Sequence, residues 1–176
     1  MTAPVPEIAT RPAQQSDMPA IHDLSVRLFG PGRFARSAYR VREGTRDISD
    51  FCRVAIAGER VIAAIRMTSI LIGGKPGALL LGPLAVDAEF ANQGHGRRLI
   101  AEVAEHARQA GRELIVLVGD LPYYGRLGFV AVPPPRIVLP GPADPARILV
   151  LELVPGALSR FEGLVTAAPD AIAPRS

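Results

Sequence analysis

The sequence has a single cysteine, no tryptophan and few other aromatic residues. One cysteine excludes an internal disulfide and a zinc site built on several cysteines. Cys52 lies in an alternating, strand-like segment, which predicts a packing role in the core. Six phenylalanines, three tyrosines and a net charge of +3 provide neither the stacking platforms nor the basic face of a typical nucleic-acid-binding protein. We therefore expect no nucleic-acid partner.

The sequence also lacks a long hydrophobic run and a linker rich enough to divide it. No apolar segment approaches the roughly 18 residues that a membrane span requires. The N-terminal residues show no basic start followed by an apolar stretch, so no signal peptide is predicted. His22 and His106 have no second ligand at metal spacing, and we expect no metal site. We predict one cytoplasmic domain over residues 1–176, with no membrane partner.

The hydrophobic periodicity predicts a mixed α/β protein. Ser16 is a good N-cap for a helix over Met18–Phe29, in which Met18, Ile21, Leu24 and Leu28 form one buried face. The predicted strands are Glu7–Pro12, Phe51–Ala57, Arg60–Ile72, Ala78–Val86, Leu114–Val118, Phe129–Val132 and, as the last, Arg147–Val154. The further predicted helices are Phe34–Glu43, Gly96–Ala110 and a short turn over Tyr123–Leu127. The expected sheet is mostly antiparallel, with a central βαβ unit flanked by helices.

The segment from Leu84 to Ala110 is predicted to bind a pyrophosphate group. A strand ends near Val86, and a helix begins at Gly94–Gly96 after a turn. The first N–H groups of a helix have no internal partner, and glycines let a phosphate approach them closely. Arg97 and Arg98 would oppose the helix dipole unless an anion binds there. Arginines at this position therefore favour an anion site.

Three other interpretations of the two glycines are weaker. They could simply form a tight turn between strand and helix. A P-loop is excluded because no Gly-Lys-Ser/Thr follows. A dinucleotide fingerprint would have Leu99 in place of its third glycine, with Asp120 as the ribose-binding acid. That fold needs several successive βαβ units, and this chain has room for one.

Two segments together resemble the GNAT N-acetyltransferase family. Ala91, Gly94 and Gly96 align with the signature Gln/Arg-x-x-Gly-x-Gly/Ala of its motif A, with Ala91 replacing the usual polar residue. The run from Val116 to Phe129, with Tyr-Tyr-Gly-Arg-Leu-Gly-Phe at its end, is similar to the family's segment Phe-Tyr-x-x-Leu-Gly-Phe. Residues 139–142 and 151–158 look most like the YhbS-type branch of that family.

The resemblance implies the GNAT fold and acetyl-CoA as the cosubstrate. The expected reaction transfers an acetyl group from this CoA thioester to a primary amine of a small molecule or peptide. A main-chain N–H near Val86 would polarise the thioester carbonyl, in a gap between two strands that admits the pantetheine arm. The residues expected to bind the cofactor are Leu84, Ala85, Val86, Asn92, Gln93, Gly94, His95, Gly96, Arg97 and Tyr123.

The same resemblance assigns a catalytic role to Tyr124 but fixes no general base. Tyr124 would stand beside the thioester sulfur and donate a hydrogen bond to the departing thiolate. Its alternative role is packing at a helix end. Glu89 is the expected general base, and Asp87 and Glu43 are further candidates. Each of these acids could instead be a solvated surface residue.

The predicted second helix is rich in arginine, in the region where GNAT proteins build the acceptor pocket. The residues concerned are Arg33, Arg36, Arg40, Arg42 and Arg46, with Phe29, Phe34 and Tyr39 nearby. They predict either a pocket for an anionic acceptor or a solvated helix face. Three broader alternatives stay open. The protein could be a catalytically idle CoA-binding or sensing protein, a transferase that uses a longer acyl-CoA, or a transferase that uses an acyl carrier protein. A homodimer is also possible.

Overall fold

The computed structural model describes residues 3–30 and 37–173, the side chains of 37–39 excepted. Within these residues the strands are β1 (Ile8–Pro12), β2 (Arg53–Ala57), β3 (Arg60–Ile72), β4 (Lys75–Val86), β5 (Leu114–Val118), β6 (Val130–Ala131), β7 (Ile137–Val138), β8 (Ile148–Glu152) and β9 (Gly163–Ala167). The helices are α1 (Met18–Phe29), α2 (Ser37–Arg42), α3 (His95–Gln109) and α4 (Leu121–Tyr124). No helix in these ranges is long and apolar enough to cross a membrane.

The first half of the sheet is antiparallel, as the turn residues predict. β1 pairs with β2, β2 with β3, and β3 with β4, all antiparallel. Gly73 and Gly74 have φ angles of 58° and 82°, a left-handed conformation that glycine adopts without a Cβ penalty. They close the β3–β4 hairpin, so β4 begins at Lys75 rather than at the predicted Ala78.

The centre of the sheet is the predicted βαβ unit. β4 and β5 are parallel, but their pairing covers only Ala78–Leu80 against Leu114–Val116. β4 also bulges at Gly82 and Pro83, opposite Arg66 of β3. Beyond Leu80, β4 has no pairing partner on this side among the described residues, while β5 remains paired with β8 along its other edge. The carboxyl-terminal halves of β4 and β5 therefore border a gap.

Alternate residues of the central strands pack on opposite faces of the sheet, as the two-residue period of a strand requires. Leu79 and Ile115 belong to a core that includes Leu99 and Val103 of α3. Leu80 and Val116 belong to a second core that includes Phe161 and Val165 near the C-terminus. The sheet is thus covered by α3 on one face and in part by the C-terminal segment on the other.

The C-terminal part of the fold differs from the prediction. The strand predicted to be the last, Arg147–Val154, is β8, and β9 follows it. β9 pairs with the distal end of β3, and β7 pairs with β9. These short strands are held by partners far away in the chain, so local pattern does not reveal them.

Two predictions about α1 are wrong. Ser16 is not its N-cap: a 3-10 turn over Gln15–Asp17 precedes the helix, and the Asp17 carboxylate accepts the Gln14 N–H at 2.7 Å and two hydrogen bonds from Arg11. The predicted apolar face is also not uniformly buried, since Leu24 is fully buried but Leu28 is 38% exposed. The remaining apolar residues of that face border a cleft. The first residues of the predicted second helix, Phe34 and Arg36 among them, lie outside the described residues, as do Arg33 before it and the Tyr39 side chain.

Candidate functional site

The turn from β4 into α3 leaves a group of backbone N–H donors open. Asn92 and Gly94 have left-handed φ angles of 61° and 87°, and Gly94 is the N-cap of α3. The first hydrogen bond of the helix runs from the Arg98 N–H to the Gly94 carbonyl at 2.9 Å. The N–H groups from Gln93 to Arg97 consequently have no acceptor within the described part of the chain. They lie at the positive end of a 15-residue helix.

Gly96 lets α3 approach β4 closely. A Cβ at this position would lie 3.4 Å from the Leu84 and Val86 side chains and 3.3 Å from the Tyr123 hydroxyl oxygen. The space beside Gly94 is open, with nothing within 4 Å of its Cβ position. The structure therefore brings together Leu84, Val86, Gly96 and Tyr123 at the start of the helix. An approaching anion meets free backbone at Gly94.

The side chains around this turn differ in how they are engaged. Arg98 donates to the Ile8 carbonyl at 3.0 Å and to Glu102 at 3.3 Å. Gln93 donates to the Glu89 carbonyl at 3.4 Å and lies 3.3 Å from the His95 ring nitrogen. Arg97 is exposed and has no side-chain partner among the residues that the structure describes. Of the two arginines, Arg97 is the one available to an anion.

The backbone of β4 points further donors into the gap. The Asp87 N–H donates to the Ile62 carbonyl of β3 at 2.7 Å. Hydrogen-bonded and non-hydrogen-bonded pairs alternate along an antiparallel ladder, so the Ala85 N–H also points toward β3. The N–H groups of Leu84 and Val86 then point the other way, into the gap beside β5. Val86 thus presents an N–H where the sequence predicts a donor to the thioester carbonyl.

Tyr124 lies across this gap, at the end of α4. Its ring packs against Gly119, where a Cβ would approach the Tyr124 Cε2 to 2.5 Å, and against Tyr123 and Phe129 with centroid distances of 4.8 and 5.7 Å. Burial raises the pKa of the Tyr124 phenol to about 12, and the charges of Tyr123 and Asp120 act in the same direction. Tyr124 is therefore a neutral hydrogen-bond donor over the whole physiological pH range.

A cleft of about 690 Å³ extends from this gap toward α1. Leu84, Ala85 and Tyr124 line it at the gap, and Met18, Ile21, His22 and Phe29 line it from α1. This explains why the apolar face of α1 is only partly buried. Asp47, Asp120, Asp144, Arg42, Arg66 and Arg147 contribute charge to its walls.

The predicted base candidates lie elsewhere. The Asp87 carboxylate is buried and accepts hydrogen bonds from the Glu89 N–H at 3.0 Å, Arg60 at 2.7 Å and Arg27 at 3.2 Å. These contacts, the backbone one foremost, lower its pKa. Glu89 is exposed and pairs with Arg60 at 3.0 Å, and Glu43 is also exposed. None of the three lines the cleft.

The carboxylates that do line the cleft were not predicted as bases. Asp120 follows β5 after Gly119, and its Oδ1 accepts from Arg147 at 3.2 Å. Asp144 accepts a hydrogen bond from the Ala146 N–H at 3.0 Å. Asp47 lies in the segment between α2 and β2. The one available signal was the place of Asp120, between a buried strand and the two tyrosines. Asp47 and Asp144 carry no comparable signal, since distant contacts bring them to the cleft.

The arginines of the predicted acceptor region separate into different environments. Arg42 is buried and lines the cleft, while Arg40 and Arg46 are exposed and do not line it. Arg66 of β3, which the sequence did not single out, also lines the cleft. The described residues contain no cluster of three His, Cys, Asp or Glu that could hold a metal ion.

The chain is similar to known acetyltransferases in sequence and in fold. Residues 49–131 match the family described as acetyltransferase (GNAT) domain. The uncharacterized N-acetyltransferase YjhQ of Escherichia coli (strain K12) is 30% identical over 121 residues, which span 65% of this chain and 65% of that protein.

Solved structures extend the similarity over almost the whole chain. The GNAT family N-acetyltransferase YhbS of Escherichia coli, in complex with CoA, is 26% identical with a TM-score of 0.79, covering 97% of this chain and 94% of that one. A GNAT family acetyltransferase of Brucella melitensis, in complex with acetyl-CoA, shares the fold at 24% identity, with a TM-score of 0.67 and coverage of 93% and 97%. In its matched segment, its sheet order and its β4–α3 turn, the chain is similar to GNAT acetyltransferases, and it shares their fold.

Proposed function

We propose that the protein transfers an acyl group, with acetyl as the first choice, from a CoA thioester to a primary amine. The observation that carries the proposal is one continuous path. It starts at the open N–H groups of α3, follows the unpaired edge of β4 and ends at Tyr124 in the cleft. YhbS and the Brucella protein, which share this fold, were crystallised with CoA and acetyl-CoA.

The proposed cofactor contacts are mainly backbone contacts. The pyrophosphate would accept from the N–H groups of residues 93–97, with Arg97 as a side-chain donor and Tyr123 beside Gly96. Asn92 shapes the turn through its left-handed backbone, and His95 borders it. Ala91 is exposed and adds no polar contact, so this site would rely on backbone amides. Leu84, Ala85 and Val86 would flank the pantetheine arm.

The reaction forms a C–N bond and breaks a C–S bond. The amine nitrogen attacks the thioester carbonyl, whose developing negative charge accepts the Val86 N–H. The thiolate then leaves and accepts a hydrogen bond from Tyr124. The pKa of the Tyr124 phenol is about 12, and that of a cysteine-like thiol is about 8.5. Full proton transfer from Tyr124 to the thiolate would therefore be uphill by about 5 kcal/mol. Tyr124 therefore acts as a hydrogen-bond donor, and the thiolate leaves as the anion or takes a proton from water.

We place the general base among the cleft carboxylates rather than at Glu89. Asp120 is close enough to Tyr124 for its charge to affect that phenol, whereas Glu89 pairs with Arg60 outside the cleft. Asp120, directly or through a water molecule, would take the proton that the amine must lose before attack. An Asp120→Asn variant should lose turnover while binding CoA normally.

Ligand-induced stabilisation and thiol release together test the proposal. A ligand at 100 times its Kd adds about 2.7 kcal/mol to the free energy of unfolding. We expect CoA and acetyl-CoA, but not NAD or ATP, to raise the Tm. Thiol release should then require both an acyl-CoA and an amine, and a series of acyl lengths defines the donor. Stabilisation by NAD alone would overturn the proposal, and CoA binding without turnover on any amine would favour the idle CoA-binding alternative.

A further inference from the structure

Two arginines from different elements meet at the bulge of β4, inside the cleft. Arg66 of β3 lies opposite Gly82 and Pro83 in the ladder. Arg42 of α2 is 7% exposed, and its Nη2 lies 3.0 Å from the position that a Cβ of Gly82 would occupy. The glycine therefore leaves room for the Arg42 guanidinium. Both arginines line the cleft that also contains Tyr124.

Arg66 is held in place but is not neutralised. Its Nη2 donates to the Thr45 hydroxyl and to the Arg46 carbonyl, both at 3.2 Å. Its Nε is buried and has no hydrogen-bond partner. Within residues 3–30 and 37–173, Arg66 forms no ion pair with a carboxylate. The guanidinium thus has fixed orientation and unused donors.

An unpaired guanidinium in a cleft favours a bound anion. The donors that such an anion can reach are those of the Arg66 Nη1, which has no partner among the described residues, because the buried Nε is closed to solvent. Burying an N–H donor or a charge without a partner is unfavourable, and a carboxylate matches the arginine fork through two parallel hydrogen bonds. Two cleft acids are engaged elsewhere, Asp120 with Arg147 and Asp144 with the Ala146 N–H. Asp47, the third cleft acid, forms no ion pair with Arg66 among the described residues, so the anion that Arg66 lacks would come from a bound molecule.

We propose that the acceptor is a small amine that also bears a carboxylate, as an amino acid does. Its carboxylate would bind Arg66 at the bulge, beside Arg42, and its amine would point toward Asp120 and the thioester. This proposal rests on the acyltransferase function above and specifies its acceptor. From the arginine-rich region of the sequence it retains Arg42 and adds Arg66.

Paired acceptors isolate the carboxylate. Each amino acid in a panel is compared with its carboxamide, which keeps the amine and side chain but lacks the negative charge. We expect Arg66→Gln to raise KM for the amino acid by about ten- to hundredfold and to leave KM for the carboxamide nearly unchanged. Ratios between variant and wild type cancel the different intrinsic reactivity of the two amines.

Two further variants and two binding measurements keep the result interpretable. Arg66→Lys keeps the charge without the fork and should recover part of the affinity. Arg108→Gln, which removes an exposed arginine of α3 paired with Glu105, should leave both acceptors unaffected. Stabilisation by CoA shows that each variant is folded. Amino-acid binding to the CoA complex is measured calorimetrically, so a binding result exists even without turnover.

The outcomes separate this proposal from the function on which it rests. Arg66-dependent binding of amino acids without any turnover would support the carboxylate site and contradict the transfer reaction. Equal use of acids and carboxamides, or no binding of any carboxylate-bearing amine, would overturn the carboxylate site and leave the transferase intact. If Arg66→Gln instead impairs succinyl-CoA relative to acetyl-CoA, the carboxylate belongs to the donor and the acceptor assignment is wrong.

Discussion

Tyr123 and Tyr124 are neighbours in sequence with separate places in the site. The Tyr123 hydroxyl lies at the start of α3, next to Gly96, and its side chain is 48% exposed. Tyr124 is more buried, packs on Gly119 and lines the cleft. The pair lies at a turn of α4, and their rings meet edge to face at 4.8 Å. The Tyr123 hydroxyl therefore lies beside the open N–H groups of α3, whereas Tyr124 lies in the cleft.

We expect Tyr124→Phe to lower kcat by about ten- to hundredfold, because a hydrogen bond to a charged group contributes about 1.5–3 kcal/mol. The phenyl ring preserves the packing on Gly119, so the Kd for CoA should change little. Thiol release and calorimetry measure the two quantities. Since the phenol titrates near pH 12, wild-type kcat should show no alkaline loss from Tyr124 below about pH 10.

Tyr123→Phe is the matched control for this prediction. It removes a hydroxyl at the edge of the anion site, so its effect should fall on CoA affinity rather than on kcat. An unchanged kcat in Tyr124→Phe would remove Tyr124 from the mechanism.

The helix α3 packs on the sheet along one face and leaves N–H groups open at its N-terminal end. Its inward face buries Leu99, Val103 and Ala107 against the sheet. A left-handed glycine lies at each end, Gly94 before the helix and Gly111 after it, with φ angles of 87° and 79°. Neither has an atom within 4 Å of its Cβ position. The two glycines are alike in conformation, and only Gly94 adjoins the open N–H groups.

This likeness gives a controlled test of the anion site. We expect Gly94→Ala and Gly111→Ala each to reduce the free energy of unfolding by about 1 kcal/mol, through left-handed strain. Only Gly94→Ala should also raise the Kd for CoA, by tenfold or more, because its methyl group obstructs the phosphate. Chemical denaturation and calorimetry measure these effects. A similar loss of CoA affinity in both variants would show that helix stability, not phosphate access, controls binding.

At the scale of the whole molecule, Asp87 ties together the elements that surround the site. It follows β4, caps the 3-10 turn Ala88–Phe90 and pairs with Arg27 of α1 and Arg60 of β3. Its side chain is 4% exposed. The position that the sequence suggested as a possible base is thus a structural link between the cleft wall and the sheet.

We expect Asp87→Asn to lower the free energy of unfolding by about 2 kcal/mol at pH 7, because the charge that both arginines pair with is lost. Folding lowers the pKa of Asp87, so the ionised Asp87 stabilises the protein at pH values above its unfolded-state pKa of about 3.9. This stabilisation is lost as the pH falls through the lower pKa that Asp87 has in the folded state. The difference between wild type and variant should therefore shrink below about pH 4, in denaturation curves recorded from pH 2.5 to 7.

Glu89→Gln controls for the salt bridge at the surface. Glu89 shares Arg60 with Asp87 but is exposed, so the substitution should change stability by less than about 0.5 kcal/mol. Its thiol-release rate also tests the sequence prediction that Glu89 is the base. A pH-independent difference for Asp87→Asn would show that lost packing, not lost charge, destabilises that variant.

The sequence by itself determined the elements that depend on local physics. The period of Leu99, Val103 and Ala107 specified α3, and the turn glycines specified the hairpins, because hydrogen bonding and burial within one element follow from adjacent residues. Gly94, Gly96 and the paired tyrosines likewise predicted the anion site and the GNAT family. Each of these motifs is contiguous in the chain.

The tertiary structure decided what distant segments do together. Arg66, Asp144 and α1 line one cleft from three parts of the chain, and Glu89 pairs with Arg60 outside it. β9 exists because β3 extends far enough to pair with it. Burial and charge pairing at such contacts depend on chain reversals that no local pattern encodes. The sequence therefore predicted the anion site, and the fold determined which charged groups line the cleft.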